Sequence, residues 1–196
     1  MKQNDKDARN KAFEQRLIGM AILINQLCNE GDMSLALTTA TTATSTEELM
    51  CTLFILVDRA DAHGVLQDLV FEAAHHPLRN TIVRAAIMVA ADRIESGGDL
   101  DRSIADAIRS LADFSDHAPT IVEAYTFLAN ANTDSETCCD DWKRAVYAAW
   151  SIPRVDERAR LFALMRIRER LDVAPTFVAT MIRDNAMDDP NWVFRT

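Results

Sequence analysis

The residues best suited to metal chemistry are the run Cys138-Cys139-Asp140-Asp141 and the histidines His75-His76 and His117. Zinc ligands usually come in pairs separated by two or three residues, because that spacing turns both side chains toward one ion. Adjacent cysteines on a helix point about 100° apart, so they cannot easily share an ion. The sequence therefore predicts no metal site and no cofactor.

A Cys–His pair, such as Cys51 with His63, is the other combination that would support catalysis. Cys51 lies within the apolar stretch Leu49–Val57, which is typical of a core residue, and no signature of a nucleophilic enzyme surrounds it. The chain also lacks a glycine-rich phosphate loop and the common hydrolase motifs. Carboxylate pairs such as Glu47-Glu48 indicate exposed caps or loops, not a buried acid–base dyad. We therefore expect a protein that is not an enzyme.

The composition indicates a soluble, acidic helical protein. Of 196 residues 48% are hydrophobic, glycine and proline occur five times each, and the net charge is −9. These proportions favour helix over sheet. An acidic chain binds nucleic acid and anionic membranes poorly, so we expect neither as a partner. The acidity serves solubility, or it forms a face that engages a basic partner.

The cysteines and the N-terminus bear on location. Cys28 and Cys51 lie among apolar residues, and the vicinal Cys138 and Cys139 cannot readily pair with each other. This pattern is typical of reduced cytosolic thiols. The first residues are too polar for a signal peptide, and no apolar run approaches the roughly eighteen residues that span a bilayer. We expect a cytoplasmic protein.

Apolar residues at three- and four-residue intervals predict ten helices within one domain, residues 1–196. Gly31 is the expected left-handed cap of the first helix, and Ser45 with Glu48 forms a capping box. The sixth helix is capped by Asp99 or Asp101 and carries Ile104 to Leu111, and the eighth follows a second capping box, Thr133-Asp-Ser-Glu136. The predicted bounds of the others are Asp5–Cys28, Asp32–Thr42, Ser45–Ala62, Gly64–His76, Leu78–Ser96, Pro119–Ala131 and Asp156–Leu171, with a tenth helix from Pro175.

Three of these helices share one apolar pattern, which returns every thirty-nine positions along the chain. The matching sets are Val83, Ala85, Ala86, Val89; Val122, Ala124, Tyr125, Leu128; and Leu161, Ala163, Leu164, Ile167. The third helix joins with a shorter step, near thirty-three positions, which sets Met50, Leu53 and Leu56 against Val83, Ala86 and Val89. A repeat of this length predicts an all-α, right-handed stack of about four helical hairpins, α-solenoid-like, with a capping helix at each end. An irregular bundle whose helices match by chance is the alternative.

The segment Pro77–Ala86, with its Val83-Arg84-Ala85-Ala86 core, resembles the second helix of a HEAT repeat. Val155–Leu161, followed by Ala163 and Leu164, is similar. The tetratricopeptide signature is missing, although its repeat length is close. The resemblance covers Gly64–Leu171, implies an α-solenoid-like layout and protein binding, and carries over no functional residue.

Charge is distributed unevenly along the second half of the chain. Asp99–Asp141 is strongly acidic and Lys143–Arg170 is basic, so neighbouring repeats either neutralise each other or present charge to a partner. The candidate partner-binding residues are Arg158, Arg166 and Arg170, the acids Asp113, Asp116 and Asp140, and the tail aromatics Trp192 and Phe194.

The leading functional hypothesis is a non-catalytic interaction protein, such as an adaptor, a chaperone-like or a regulatory protein. It would bind another protein or a peptide in a helical groove. The alternative is an acidic inhibitor or immunity-type protein that neutralises a basic partner through Asp99–Asp141. An enzyme with an unrecognised site is a third class. The sequence does not specify the oligomeric state.

Overall fold

A computed structural model describes residues 2–132 and 135–152 of the chain, with the side chains of 2–9, 135, 139 and 150 left aside. This part of the chain forms eight helices and no strand, which confirms the predicted all-α class. The helices are α1 (Lys2–Glu30), α2 (Met33–Thr41), α3 (Thr46–Ala62), α4 (Leu66–Ala74), α5 (Arg79–Glu95), α6 (Arg102–Asp113), α7 (Ala118–Ala131) and α8 (Ser135–Ser151).

The chain divides into two compact units, Met1–Leu111 and Ala112–Thr196. The division falls within α6. The ninth and tenth predicted helices lie outside the described residues. A single domain over the whole chain stays a prediction.

Helices α1, α3 and α5 all end in a glycine with positive φ: Gly31 at 76°, Gly64 at 72° and Gly97 at 90°. Each glycine is followed by an amide that bonds back five residues, as Asp32 N does to Leu27 O at 3.0 Å. This arrangement satisfies carbonyls that the helix end would otherwise leave without a partner. The expected cap at Gly31 is confirmed, and the three caps are evenly spaced, each thirty-three positions after the one before.

Helix α3 is central in the first unit, as its wide apolar arc predicts. It packs against α1 and α5, and also against α2 and α4, while α2 and α4 pack against each other. In the first unit α1, α3 and α5 thus form one layer, and α2 and α4 form a second layer packed on it. The largest fully buried side chains of this core are Ile24, Leu53, Leu56, Leu69 and Ile82.

The buried positions of α2 and α4 are related by the same spacing as the glycine caps. The pairs are Met33 with Leu66, Ala36 with Leu69, Leu37 with Val70, and Ala40 with Ala73, and all eight side chains are buried. The same spacing relates Leu53 and Leu56 of α3 to Ala86 and Val89 of α5. In the first unit the burial pattern therefore follows the shorter of the two predicted steps.

The start of α3 is held by Glu48, whose side chain is 2% exposed, so the expectation of an exposed cap is wrong for this residue. Ser45 Oγ accepts the Glu48 amide at 3.1 Å, as the capping box predicts. The Glu48 carboxylate accepts from the Thr44 amide at 2.8 Å, from the Thr44 hydroxyl, and from Arg16 Nε at 3.0 Å. It thus bonds one residue further back than the predicted box, and Arg16 of α1 bonds its other oxygen.

Arg93 of α5 and Ser103 of α6 both bond to acids of α3 in the first unit. Arg93 donates to Asp61 at 2.6 Å and to Asp58 at 3.0 Å, both on α3. The hydroxyl of Ser103 on α6 also bonds to Asp61. Hydrogen bonds to the two aspartates raise the pKa of Arg93 against the opposing effect of burial, which is the largest single cause. These bonds fix α5 and the start of α6 on α3.

In the second unit α7 packs against α8. Pro119 lies in the first turn of α7, where its missing amide removes no helical bond. Trp142 is fully buried, and Val122, Ala124, Tyr125 and Leu128 are buried as well. Their predicted counterparts in α5 are also buried, whereas Leu161, Ala163, Leu164 and Ile167 lie outside the described residues. The stacked repeat as a whole stays a prediction.

Candidate functional site

The three acidic candidates in the predicted binding run lie on different elements of the second unit. Asp113 is the last residue of α6, Asp116 is exposed in the loop before α7, and Asp140 is exposed on α8. The other candidates, Arg158, Arg166, Arg170, Trp192 and Phe194, lie outside the described residues.

Asp113 belongs to a cluster with Tyr125 and Arg144. The Tyr125 hydroxyl donates to Asp113 Oδ1. Arg144 Nη1 donates to both oxygens of Asp113, at 2.9 and 3.0 Å, and to the Tyr125 hydroxyl oxygen at 2.8 Å. The Arg144 guanidinium also lies 5.3 Å from the centre of the Tyr125 ring. This cluster joins an acid, an aromatic ring and an arginine, and its charges balance within the chain.

The electrostatics of this cluster favour the hydrogen-bonded arrangement of Tyr125, Asp113 and Arg144. Burial raises the pKa of Tyr125 above its ordinary value, and the hydrogen bond to Asp113 raises it further. The hydrogen bond with Tyr125 raises the pKa of Arg144, and Asp113 adds to the shift. Tyr125 therefore stays neutral and Arg144 stays charged over the physiological range. Asp113 acts here as a structural partner of the second unit.

Asp140 is also paired within the chain. Lys143, one turn along α8, donates to it at 2.8 Å. This hydrogen bond lowers the pKa of Asp140. Two of the three acidic candidates therefore have a cationic partner, so less of the acidic run is available to an external basic protein than its composition predicts.

A concave surface lies in the first unit, between the start of α2 and the outer face of α4. We call it the acidic groove. It is open to solvent, has a volume of about 280 Å³ and is lined by Gly31, Asp32, Met33, Ser34, Asp68, Phe71 and Glu72. The lining contains three carboxylates and no basic side chain, so the groove favours a cation.

The elements around the groove orient its side chains by simple rules. The positive φ of Gly31 ends α1 and turns the chain, so that Asp32 caps α2 by accepting the Leu35 amide at 3.0 Å. Met33 is buried beneath the cap. On α4 the apolar stripe faces the core, which leaves Asp68 and Glu72 on the outer face, one turn apart.

Phe71 is the most exposed large apolar side chain among the described residues, at 75%. It lies one turn from Asp68 on α4, and Asp68, Phe71 and Glu72 all line the groove. Neither Asp68 nor Glu72 forms an ion pair or hydrogen bond with any residue that the structure describes. The groove thus presents an aromatic ring and two carboxylates whose charges no described side chain balances.

The groove was not among the predicted sites, although its signal is present in the sequence. The apolar stripe of α4 is Leu66, Leu69, Val70 and Ala73, and Phe71 falls outside it. An aromatic residue off the stripe, next to two acids, predicts an exposed ring. Asp32 cannot be placed beside it from sequence, because their proximity depends on how α2 packs on α4.

The combinations considered for catalysis do not assemble in the described part of the chain. Cys51 and His63 lie twelve residues apart on one helix and its cap, which corresponds to about 18 Å. His63 Nε2 instead contacts Asn25 at 3.1 Å, and His117 Nδ1 contacts Thr120 Oγ1 at 2.9 Å. Burial raises the pKa of the Cys28 thiol to about 11, so it stays protonated.

The same described residues contain neither a metal-binding cluster nor a helix that could span a membrane. No group of three or more metal-binding side chains occurs among them. None of their helices combines the length and the apolar character needed to cross a lipid bilayer. Comparison of the chain with protein-family models, with curated proteins and with solved structures finds no match.

Proposed function

We propose that the chain is a non-catalytic protein-interaction module that holds a partner protein in the acidic groove. The carrying observation is Phe71, a large apolar side chain 75% exposed at a concave surface. A ring in this position adds apolar area to an interface and needs no rearrangement of the core. Aromatic residues are enriched where protein interfaces gain most of their binding energy.

The arrangement of the first unit supports a rigid scaffold of stacked helical hairpins, the right-handed α-solenoid-like layout. Neighbouring helices within each layer pack together, and the glycine caps and the buried positions share one spacing along the chain. Such stacks use the surface of one helix layer for binding. Here α2 and α4 would form that layer, and their outer face carries the groove.

Affinity capture from the native cell extract tests this proposal. The bait proteins are the wild type, Phe71→Ala, and a matched control, Tyr147→Ala, which removes another aromatic ring that is 65% exposed. We expect a set of captured proteins that Tyr147→Ala retains and Phe71→Ala loses, with a modest dependence on salt. Capture that is identical for all three baits would contradict the proposal.

The same assay separates the acidic-inhibitor alternative. An acidic inhibitor would lose its partner steeply as salt rises. Charge reversal by Asp116→Lys, at an exposed position of the acidic run, would abolish capture, whereas Phe71→Ala would not. The internal pairing of Asp113 and Asp140 makes the groove the better supported surface.

A further inference from the structure

The two carboxylates on the outer face of α4 set what the acidic groove can recognise. Asp68 and Glu72 are four residues apart on one helix, so their Cβ atoms lie about 6 Å from each other. Phe71 exposes its ring next to Glu72. Asp32, at the start of α2, adds a third negative charge to the lining. A ligand that matches this surface carries positive charge and has a flat face to lay on the ring.

We infer that the acidic groove binds an arginine side chain presented by the partner protein, an inference that rests on the proposed function. The guanidinium is planar and has five N–H donors in a fixed fork. It bonds carboxylates and stacks on aromatic rings at the same time, which lysine does less well because its ammonium is a compact, strongly hydrated point charge. An apolar side chain would leave the carboxylates unmatched.

The second unit contains the completed form of this arrangement. Arg144 bonds Asp113 at 2.9 and 3.0 Å and lies 5.3 Å from the centre of the Tyr125 ring. The acid, the ring and the arginine all come from the chain itself. The groove has the acids and the ring, but none of its lining residues is an arginine or lysine.

The start of α2 has the opposite polarity and would favour an anion if it were open. A helix N-terminus carries a partial charge of about +0.5. Asp32 already meets this charge by accepting the Leu35 amide at 3.0 Å. Asp68 and Glu72 then dominate the remaining field, so the groove as a whole attracts cations.

Peptide binding tests the inference. The probe is the acetylated, amidated pentapeptide Gly-Leu-Arg-Gly-Leu, with versions in which lysine or uncharged citrulline replaces arginine. Binding to the full chain is followed by amide chemical-shift changes in nitrogen–proton NMR spectra at low salt. We expect the arginine peptide to shift amides of residues 31–34 and 66–74. The lysine peptide should bind more weakly, and the citrulline peptide should shift none of them.

Variants of the full chain sharpen the test. Asp68→Asn/Glu72→Gln should weaken binding of the arginine peptide roughly fivefold, the upper end for one exposed ion pair. Phe71→Ala should weaken it roughly twofold to fivefold through loss of stacking. The matched control is Asp92→Asn/Glu95→Gln, which removes two acids of α5 outside the groove and should leave binding unchanged. Helical circular dichroism shows that each variant is folded.

Equal binding of the arginine and citrulline peptides would overturn the inference, as would shifts confined to other helices or equal weakening by the α5 control. The outcome is separable from that of the proposed function. Capture that needs Phe71 without arginine binding would reject arginine and leave the protein-binding role in place. Arginine binding without capture that depends on Phe71 would reject the protein-binding role.

Discussion

The Asp113 cluster and the acidic groove use similar residues to opposite ends. In the cluster, Tyr125 is 1% exposed and its acid is matched by Arg144; in the groove, Phe71 is 75% exposed and its neighbouring acids lack a cation among the described residues. The first arrangement stabilises its own unit. The second leaves an exposed ring and two carboxylates without a bond to any described residue, which supports the proposed interface. The composition of a segment therefore does not tell which of its charges are already paired within the chain.

The largest expected difference between the two regions is in stability. Tyr125→Ala removes a buried ring, so we expect the free energy of unfolding to fall by about 3–5 kcal/mol. Phe71→Ala removes an exposed ring and should change it by no more than about 0.5 kcal/mol. Urea unfolding followed by circular dichroism measures both. A loss for Phe71→Ala that equals the loss for Tyr125→Ala would show that the ring of Phe71 is part of the core.

The arginine of the cluster gives a smaller effect. Arg144→Met removes two bonds to Asp113 and the contact with the Tyr125 ring, and we expect it to cost about 1 kcal/mol, since both charged side chains are half-exposed. The control is Arg102→Met, whose side chain is 95% exposed at 3.7 Å from Asp106. It should cost close to nothing in the same urea experiment. Equal effects would mean that Arg144 is merely a surface charge.

The buried carboxylate of Glu48 should respond to acid. Hydrogen bonds from the Thr44 side chain and amide, and then from Arg16, lower its pKa from 4.5 to about 2. A carboxylate with a lowered pKa stabilises the fold above its unfolded-state value, and this contribution is lost as the pH falls from about 4.5 toward 2. Glu48→Gln should therefore flatten the fall in stability over that window.

Thermal unfolding between pH 5 and pH 2 measures the Glu48 effect. The groove provides the control: Glu72 is exposed and has no bond to a described residue, so at high salt, which screens its repulsion from Asp68, Glu72→Gln should keep the slope of the wild type. If Glu48→Gln keeps that slope as well, the Thr44 and Arg16 contacts do not act on the carboxylate as described.

The smallest expected effect is a gain. Asp68 and Glu72 repel each other across one turn of α4, a helix of nine residues without a side-chain N-cap. Removing one charge by Glu72→Gln should stabilise the protein by about 0.2–0.5 kcal/mol at low salt, and the gain should shrink as salt rises. Urea unfolding at two salt concentrations measures it. A destabilised variant would indicate that Glu72 has a favourable partner, which contradicts the basis of the groove.

The local parts of this fold could be predicted from the sequence. Gly31 predicts where α1 ends and Ser45 predicts where α3 begins. Both the left-handed cap and the side-chain cap depend on neighbouring residues only. The central position of α3 follows from its wide apolar arc. The predicted step of thirty-nine positions matches the buried faces of α5 and α7. It does not reveal the spacing of thirty-three positions that the three glycine caps share.

The pairing of charges could not be predicted in the same way. Tyr125 is twelve residues from Asp113 and Arg144 is thirty-one, so their contact exists only once the second unit has folded. The acidic run therefore looked like a binding surface when its charges were simply added. The position of Phe71 outside the apolar stripe of α4 is a local signal. The stripe itself predicts only which residues form the core and gives no role to a residue outside it.

Photo-crosslinking at position 71 tests the central claim most directly. Benzoylphenylalanine replaces Phe71 in one protein and Tyr147 in another, both are irradiated in the native cell extract, and the crosslinked peptides are identified by mass spectrometry. We predict that position 71 crosslinks to a partner protein at a peptide that contains arginine, and that position 147 does not. If position 71 yields no more crosslinks to that partner than position 147 does, the central claim is contradicted.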